Sequence, residues 1–276
     1  MTTKLSAEEF SRYQKDGVVA PITVMPPAVA KELCCRLESA EKCFPHQIGP
    51  EKRNNAHYVL GCLDEIVHHE GILDAVECLI GPDIILTNTV LFIKEPNSLH
   101  HVTYHQDATY MGLEPQDSLT AWIALTESTP ENGCVRMIQG SHLLDIQRHI
   151  DTFGEDNILT RGQQIEGIDE ERALDIELEP GQMSLHHART IHGSRPNKTG
   201  ARRIGIALQS FAHPSTRQVH GEDYALLVRG SDDYGNFTKG PRPTAEVDLA
   251  NVKFRDRVNA RLSEILYAGA EMQRGY

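Results

Sequence analysis

The chain has 276 residues, and its 39 Asp and Glu against 27 Lys and Arg give a formal net charge of −12 at pH 7. This acidic balance argues against a nucleic-acid partner, because duplex binding relies on Lys and Arg that neutralise phosphates. The sequence has no run of roughly 18 apolar residues, as a membrane span requires, and its polar start is unlike a signal peptide. We therefore expect a cytoplasmic protein with no membrane partner, folded as one domain over residues 1–276, that acts on a small molecule.

Residues 1–82 are predicted to form a helical N-terminal part. Ser6 and Glu9 have the spacing of a capping box, in which each side chain bonds an otherwise unpaired backbone amide. Later segments repeat apolar residues every three or four positions, and proline or glycine marks their ends. The predicted helices run from Ser6 to Gly17, from Pro26 to Ala40 and from Asp64 to Leu79.

Residues 83–215 change to short β segments separated by turn-rich stretches, which is typical of an antiparallel sandwich or barrel. Within them, residues 143–171 are polar and charged, so we expect a long insertion between strands and a candidate lid. Helical periodicity returns over residues 249–272. The predicted strands are Ile84–Lys94, Leu119–Leu125, Val135–Ile138, Leu174–Leu178, Met183–His186 and Arg203–Phe211.

The cysteines form no Cys-x-x-Cys pair, which argues against a zinc site built on that motif. Most of them lie in apolar segments with helical periodicity. Because cytoplasmic thiols stay reduced, we expect buried free thiols rather than disulfides. The six cysteines are Cys34, Cys35, Cys43, Cys62, Cys78 and Cys134.

The segment Tyr104-His105-Gln106-Asp107-Ala108 contains a His-x-Asp pair. Side chains alternate along a strand, so an extended backbone would place His105 and Asp107 on one face. A distant histidine on a second strand, His192, can complete a three-ligand face. Two imidazoles and one carboxylate that leave the other positions open are the ligand set of non-heme Fe(II) oxygenases. The pattern therefore predicts an iron site.

Arg202 and Arg203 open an apolar run that is typical of a buried strand. A permanently charged guanidinium in such a strand needs a carboxylate partner. Strand alternation admits only one of the two arginines to the interior, namely the one on the same face as the inward side chains. The other is expected at the surface.

Several motifs follow one another in a recognisable order between about Leu86 and Phe211. They are His105-Gln106-Asp107-Ala108-Thr109-Tyr110, Thr120-Ala121-Trp122-Ile123-Ala124-Leu125, Pro130-Glu131-Asn132-Gly133-Cys134, Gly140-Ser141-His142, His192-Gly193-Ser194 and Arg203. In these motifs the chain resembles the phytanoyl-CoA dioxygenase family, whose members use Fe(II), 2-oxoglutarate and O₂. The resemblance implies a mainly β fold with flanking helices and a double-stranded β-helix core, also called a jelly roll and similar to that of cupins.

The resemblance also implies roles for individual residues. His105, Asp107 and His192 would be the iron ligands, and the family spacing selects Arg203 over Arg202 as the residue that holds the distal carboxylate of 2-oxoglutarate. Relatives that halogenate replace the carboxylate ligand with a small residue, so the presence of Asp107 favours hydroxylation.

Further residues near these motifs are candidates for supporting contacts. Ser194, Thr120 and Trp122 are candidates for contacts with the cosubstrate, with ordinary core packing as the alternative. His187, which lies shortly before His192, is a candidate for a hydrogen bond that orients a metal ligand.

The substrate is expected to be a small zwitterion. Aromatic faces attract an ammonium group, and Arg or Lys suits a phosphonate or carboxylate. The candidate substrate-binding residues are Tyr58, Asn55, Lys94, Tyr104, Tyr110 and Arg189. The chain also has a fainter resemblance to the aminoalkylphosphonate hydroxylases of the family, which makes 2-aminoethylphosphonate or its N-methylated form the best candidate.

Two alternatives stay open. A tailoring hydroxylase of a larger natural product or acyl compound would use the same core with an apolar access channel. A non-catalytic metal-binding relative would normally lack one of the ligands or Arg203, and this sequence contains all of them.

Overall fold

The computed structural model describes residues 3–271, apart from the side chain of Glu51. Within these residues no helix is both long enough and apolar enough to cross a bilayer. The helices are α1 (Ala7–Asp16), α2 (Pro27–Cys43), α3 (Pro45–Ile48), α4 (Gly61–Val67), α5 (Glu70–Ile80) and α6 (Val252–Leu266). The strands are β1 (Val18–Thr23), β2 (Ile84–Lys94), β3 (Val102–His105), β4 (Leu113–Glu114), β5 (Leu119–Ala124), β6 (Val135–Ile138), β7 (His149–Asp151), β8 (Gln163–Ile165), β9 (Ala173–Ile176), β10 (Gln182–His187), β11 (His192–Ser194), β12 (Arg203–Ala212), β13 (Arg217–Gln218), β14 (Tyr224–Arg229) and β15 (Thr238–Lys239).

Two facing sheets form a jelly-roll core, as the family resemblance implies. The major sheet has the order β1-β10-β5-β12-β2-β14-β15, and the minor sheet has the order β3-β11-β6-β9. Trp122 and Ala207 of the major sheet pack in one apolar cluster with Val135 and Met137 of the minor sheet. The jelly roll therefore has a closed interior between its sheets, flanked by helices on one outer face.

Strand β12 shows how the two faces of the major sheet differ. Ile204, Ile206 and Leu208 belong to the same apolar cluster as buried residues of α2, α4, α5 and α6. On the opposite face of β12, Arg203 and Ala207 line a cavity between the sheets. Alternation along one buried strand thus separates an apolar helix-facing side from an interior side that can hold polar groups.

The predicted helices are largely confirmed. The capping box at Ser6 opens α1, and Gly17 ends that helix with a positive φ of 72°. The single helix predicted from Asp64 to Leu79 is wrong, because the chain breaks between α4 and α5. The ring of His69 accepts a hydrogen bond from the Gly71 amide at 3.2 Å and so caps the start of α5.

The major sheet extends beyond the predicted core limits of residues 83–215. Strand β1 precedes this range, and β14 and β15 follow it. Proline within Val18–Thr23 obscures the strand pattern, yet β1 lies at the edge of the sheet, where a missing amide donor is tolerated. One apolar cluster joins the N-terminal helices, the major sheet and α6.

The two remaining predicted segments take more specific forms. Residues 143–171 contain the hairpin of β7 and β8, which is fastened to β3 because the Thr103 hydroxyl accepts from Asn157 and donates to the Gln163 carbonyl. The C-terminal helix α6 ends at Leu266, and residue 272 lies outside the described residues. All six cysteines are free thiols, but Cys35 and Cys43 are exposed rather than buried because one face of α2 meets solvent.

Gly205 provides a test of the packing inside the jelly roll. A β carbon at this position would lie 2.2 Å from Cζ2 of Trp122, whereas one at Gly200 would meet nothing within 4 Å. We expect Gly205→Ala to lower the free energy of unfolding by about 1–3 kcal/mol relative to Gly200→Ala, since overpacking forces the ring to move. Both variants reduce the entropy of the unfolded chain in the same way, so urea denaturation of the pair isolates the steric effect. Equal stability of the two variants would contradict this packing.

Candidate metal centre and adjoining cavities

The structure brings His105, Asp107 and His192 together. Their ligand atoms all lie within 4.8 Å of one another, and all three residues are buried. His105 ends β3 and pairs in register with His192, the first residue of β11. Asp107 lies in a 3₁₀ turn rather than on the strand, but the extended backbone of Gln106 (φ −119°, ψ 124°) keeps its side chain on the face of His105.

Backbone carbonyls orient both imidazoles. Nδ1 of His105 lies 2.9 Å from the Thr103 carbonyl oxygen, and Nδ1 of His192 lies 2.9 Å from that of Thr190. Because a carbonyl only accepts, each Nδ1 must carry the proton, and each Nε2 keeps a free lone pair. These two Nε2 atoms lie 3.4 and 3.9 Å from Oδ1 of Asp107.

The protonation states of these groups suit a metal. Burial would raise the pKa of Asp107, but the imidazoles of His192 and His105 outweigh burial and hold that pKa below its usual range. Burial, with a smaller effect of His105, lowers the pKa of His192 to about 4. At neutral pH the carboxylate is therefore ionised and the His192 imidazole neutral, as metal ligands must be. The Thr120 hydroxyl, which also lines the cavity at this site, donates to Oδ2 of Asp107 at 3.2 Å and so orients the carboxylate.

His186, rather than the predicted His187, lies beside the three residues. The His186 ring is 4.7 Å from that of His192 and lines the same cavity. His187 points the other way, with Nε2 3.9 Å from the carboxylate of Asp117. Alternation along β10 is the reason, and it was visible in the sequence: Met183 and Leu185 mark the helix-facing side, so His186 must face inward.

A narrow cavity of about 30 Å³ connects the three residues to Arg203. Arg203 is 1% exposed, and its Nε and Nη1 atoms have no hydrogen-bond partner among the described residues. Its guanidinium lies 5.1 Å from the ring of Trp122, and burial lowers its pKa to about 10. The cavity is lined by Phe92, Val102, His105, Asp107, Thr120, Trp122, Val135, His186, His192, Gly193, Ser194, Arg203, Ala207 and Gln209.

Arg202 and Lys94 differ in where they point. Arg202 faces outward and forms ion pairs with Glu38, Glu41 and Glu95. Lys94 is buried directly across the β2–β12 pair from Arg203.

Lys94 was predicted to bind the substrate, and the structure corrects this position. Its Nζ atom donates to the Ser194 hydroxyl at 2.7 Å and to the Gly133 carbonyl at 3.2 Å. Burial, followed by the charge of Arg203, lowers the pKa of Lys94 to about 6. Lys94 and Ser194 therefore belong to the Arg203 end of the cavity.

Asn55 and Tyr58 also lie away from the metal centre. The Asn55 side chain accepts from the Thr89 amide at 3.2 Å and donates to Asn259 of α6 at 3.0 Å. The ring of Tyr58 packs edge-on against Phe254, with centroids 5.1 Å apart. Both residues join the helices to the outer face of β2, so they line neither cavity described here.

Tyr104 and Arg189, two other residues predicted to bind the substrate, contact other parts of the protein. The Tyr104 hydroxyl accepts from Nη1 of Arg136 at 3.0 Å, within an ion-pair network that includes Glu170. Arg189 lies near His187. Burial is the main cause that lowers the pKa of His187, and the positive charge of Arg189 lowers it further. Neither Tyr104 nor Arg189 lines the cavity at the metal centre.

Tyr110 lines a second cavity of about 310 Å³. This cavity lies next to the segment that carries Asp107, because the Tyr110 amide donates to the Asp107 carbonyl at 3.1 Å and the Gln106 amide donates to Nε2 of His149 at 3.0 Å. Its lining consists of Thr109, Tyr110, His149, Asp151, Arg161, His220, Ile265 and Ala268. Half of these residues come from the insertion and α6, where the polar sequence had indicated a candidate lid but no individual binding residue.

Known proteins resemble this chain in sequence and in structure. A family model described as Phytanoyl-CoA dioxygenase (PhyH) matches residues 13–205. A probable alpha-ketoglutarate-dependent hypophosphite dioxygenase of Stutzerimonas stutzeri is 30% identical over 182 residues, which cover 64% of this chain and 63% of that protein. The peroxisomal phytanoyl-CoA dioxygenase of Homo sapiens is 31% identical over 141 residues, covering 49% and 42%. The chain thus spans less than two thirds of the length of each relative.

A solved structure, the non-heme monooxygenase ThoJ in its apo form, covers 94% of this chain and 97% of its own, with 33% identity and a TM-score of 0.83. The match of the family model over well more than half of the sequence agrees with the jelly-roll core and with the grouped ligand atoms. The chain therefore belongs to the phytanoyl-CoA dioxygenase family, whose enzymes use Fe(II), 2-oxoglutarate and O₂.

Proposed function

We propose that this protein is an Fe(II)- and 2-oxoglutarate-dependent hydroxylase that oxidises an unactivated C–H bond of a small zwitterion. The best candidate is an aminoalkylphosphonate such as 2-aminoethylphosphonate or its N-methylated form. The observation that carries the proposal is the presence, in one buried cavity, of a His-Asp-His ligand set and a guanidinium with unpaired N–H groups.

The residues at the centre fit an Fe(II) ion. His105 and His192 would each supply Nε2, and Asp107 would supply Oδ1, because their other polar atoms already bond the protein. These three donors lie on one side and leave the opposite side free for other ligands. When bound, iron with 2-oxoglutarate and O₂ supplies the oxidation of the C–H bond.

The far end of the cavity fits the distal carboxylate of 2-oxoglutarate. Arg203 is buried, and no described residue pairs with its Nε or Nη1, so a carboxylate would satisfy both atoms at once. Lys94 holds the Ser194 hydroxyl in place beside the guanidinium, and the Trp122 ring packs against it. These residues would orient the cosubstrate and exclude water from its charged end.

The second cavity supports a small polar substrate over a large apolar one. Only Ile265 and Ala268 of its lining residues are aliphatic, whereas a long acyl chain or large natural product calls for an apolar channel. The hypophosphite dioxygenase named above is described as acting on a phosphorus compound, which supports a phosphorus-containing substrate here. A non-catalytic relative is disfavoured because all three ligands and Arg203 are present and grouped.

Replacing Asp107 with Ala tests the metal site. We expect Fe(II) affinity to fall by more than the roughly 10- to 100-fold loss that follows changes to residues behind the ligands. Asp233→Ala, which removes an exposed carboxylate, is the control and should bind iron like the wild type. Anaerobic calorimetry gives both affinities. Stoichiometric iron binding or full hydroxylation by the Asp107 variant would contradict the ligand assignment.

The cosubstrate anchor can be tested with neighbouring arginines. Removing one partner of a buried charge pair costs about 3–5 kcal/mol, so Arg203→Ala should weaken 2-oxoglutarate binding by about two to three orders of magnitude. Arg202→Ala removes the same side chain from outward-facing ion pairs and should change little. The charge-transfer band of the anaerobic Fe(II) and 2-oxoglutarate complex reports the affinity. A large loss in the Arg202 variant with none in the Arg203 variant would reverse the assignment.

The substrate class is tested by succinate formation with a panel of compounds. We expect coupled turnover with 2-aminoethylphosphonate or its N-methylated forms, with ectoine as a second zwitterion and a long-chain acyl compound as the control. Analogues that lack either charged end should react poorly, because a buried group left unpaired costs about 1–3 kcal/mol. Coupled turnover of the acyl compound with none of the zwitterions would contradict the proposal.

A further inference from the structure

We infer that the second cavity selects the substrate, and that the ion pair of Arg161 and Asp151 in its wall binds a zwitterion by matching both of its charges. This inference rests on the proposed function, since it places the substrate of that hydroxylase. It adds a site and a recognition mode that the iron and cosubstrate residues do not provide.

Four separate parts of the chain build the cavity, one of which is the loop after β13 that carries His220. Tyr110 comes from the turn that follows Asp107, Asp151 and Arg161 come from the insertion, and Ile265 comes from α6. Its volume of about 310 Å³ lies at the lower end of the range for small-molecule pockets. A compact molecule bound there would have one end next to the segment that carries Asp107.

Arg161 is only partly used by the protein. Its Nε and Nη2 donate to Oδ2 of Asp151, and its Nη1 donates to the Leu266 carbonyl at 3.1 Å. A guanidinium has five N–H groups, so two of them have no partner within the described part of the chain and could bond an anion. The Arg161 guanidinium also lies 5.4 Å from the centroid of the Tyr110 ring, which fixes its plane beside the cavity.

Two further atoms in the wall are available to a ligand. The Tyr110 hydroxyl is buried and has no hydrogen-bond partner among the described residues. Oδ1 of Asp151 likewise accepts no hydrogen bond within residues 3–271, since Arg161 bonds Oδ2 alone. The hydroxyl can donate to a phosphonate or carboxylate oxygen, and the carboxylate oxygen can accept from an ammonium group.

The arrangement favours a dipolar ligand over a singly charged one. The charges of Arg161 and Asp151 cancel, so a cation or anion alone would leave its own charge without a net counter-charge in a half-buried site. A zwitterion can lie antiparallel to the pair, with its anionic end at Arg161 and Tyr110 and its ammonium at Asp151. Both ends are then paired.

The test compares two ligands that differ only in the ammonium group. Binding of 2-aminoethylphosphonate and of ethylphosphonate is measured by anaerobic calorimetry on the enzyme loaded with Fe(II) and 2-oxoglutarate. Asp151→Asn should weaken 2-aminoethylphosphonate at least about tenfold without weakening ethylphosphonate, because only the former has a group for that carboxylate and the variant leaves Arg161 without its counter-charge. Glu155→Gln, an exposed carboxylate of the same insertion, is the matched control and should change neither.

A second variant leaves the ion pair intact. Tyr110→Phe keeps the ring and removes only the unpaired hydroxyl, so it should weaken both phosphonates by about three- to tenfold even if Asp151→Asn unfolds. Equal effects of Asp151→Asn on the two ligands, no effect of Tyr110→Phe, or no binding of 2-aminoethylphosphonate by the wild type would each overturn the inference. The 2-oxoglutarate charge-transfer band in the same samples distinguishes the two proposals. If the band is normal and any of these results is obtained, only the proposed substrate site is overturned. If the wild type shows no band, the proposed function is overturned as well.

Discussion

Alternation along the strands of the major sheet is the constraint on which the rest of the structure depends. Helices cover the outer face of this sheet, so every second residue of its central strands must be apolar and contribute to the large cluster. The residues between them face the minor sheet and need not be apolar. Arg203, Trp122 and His186 all occupy such inward positions on three neighbouring strands. The apolar outer face stabilises a sheet whose inner face holds unpaired polar groups.

These inward groups are costly in the free protein. An ion in a protein interior loses several kcal/mol of hydration, and an unpaired buried donor costs about 1–3 kcal/mol. Arg203 has unpaired donors, and His186 has no partner for either ring nitrogen among the described residues. Burial lowers the pKa of His186 to about 3, so it stays neutral beside the ligand set. Orphaned polar groups concentrated in one cavity indicate a site whose hydrogen bonds are completed by bound molecules.

Gln106 links the two cavities. It is fully buried between the ligands His105 and Asp107, and its amide group donates to the Arg189 carbonyl at 2.8 Å. Its side-chain oxygen accepts from the Gln147 amide at 2.8 Å. One residue thus ties both ligand-bearing segments to the insertion that forms the wall of the second cavity. The insertion therefore contacts the same backbone that positions the proposed metal ligands.

Patterns within short segments of the sequence determined much of the candidate site and of the strands that carry it. The His-x-Asp pair, the later histidine, and the apolar strand headed by arginine were readable because ligand spacing and strand period are properties of short segments. The same period places Arg202 and Arg203 on opposite faces, although the family resemblance was needed to select Arg203. It would also have distinguished His186 from His187, had the apolar positions of β10 been used. What tertiary structure decided is the placement of residues without a periodic signal. Lys94 lies next to Arg203 only because β2 pairs with β12. Asp151, Arg161 and Ile265 meet Tyr110 only because the insertion and α6 fold over the same edge. Such contacts join segments far apart in the chain, and no local propensity encodes them.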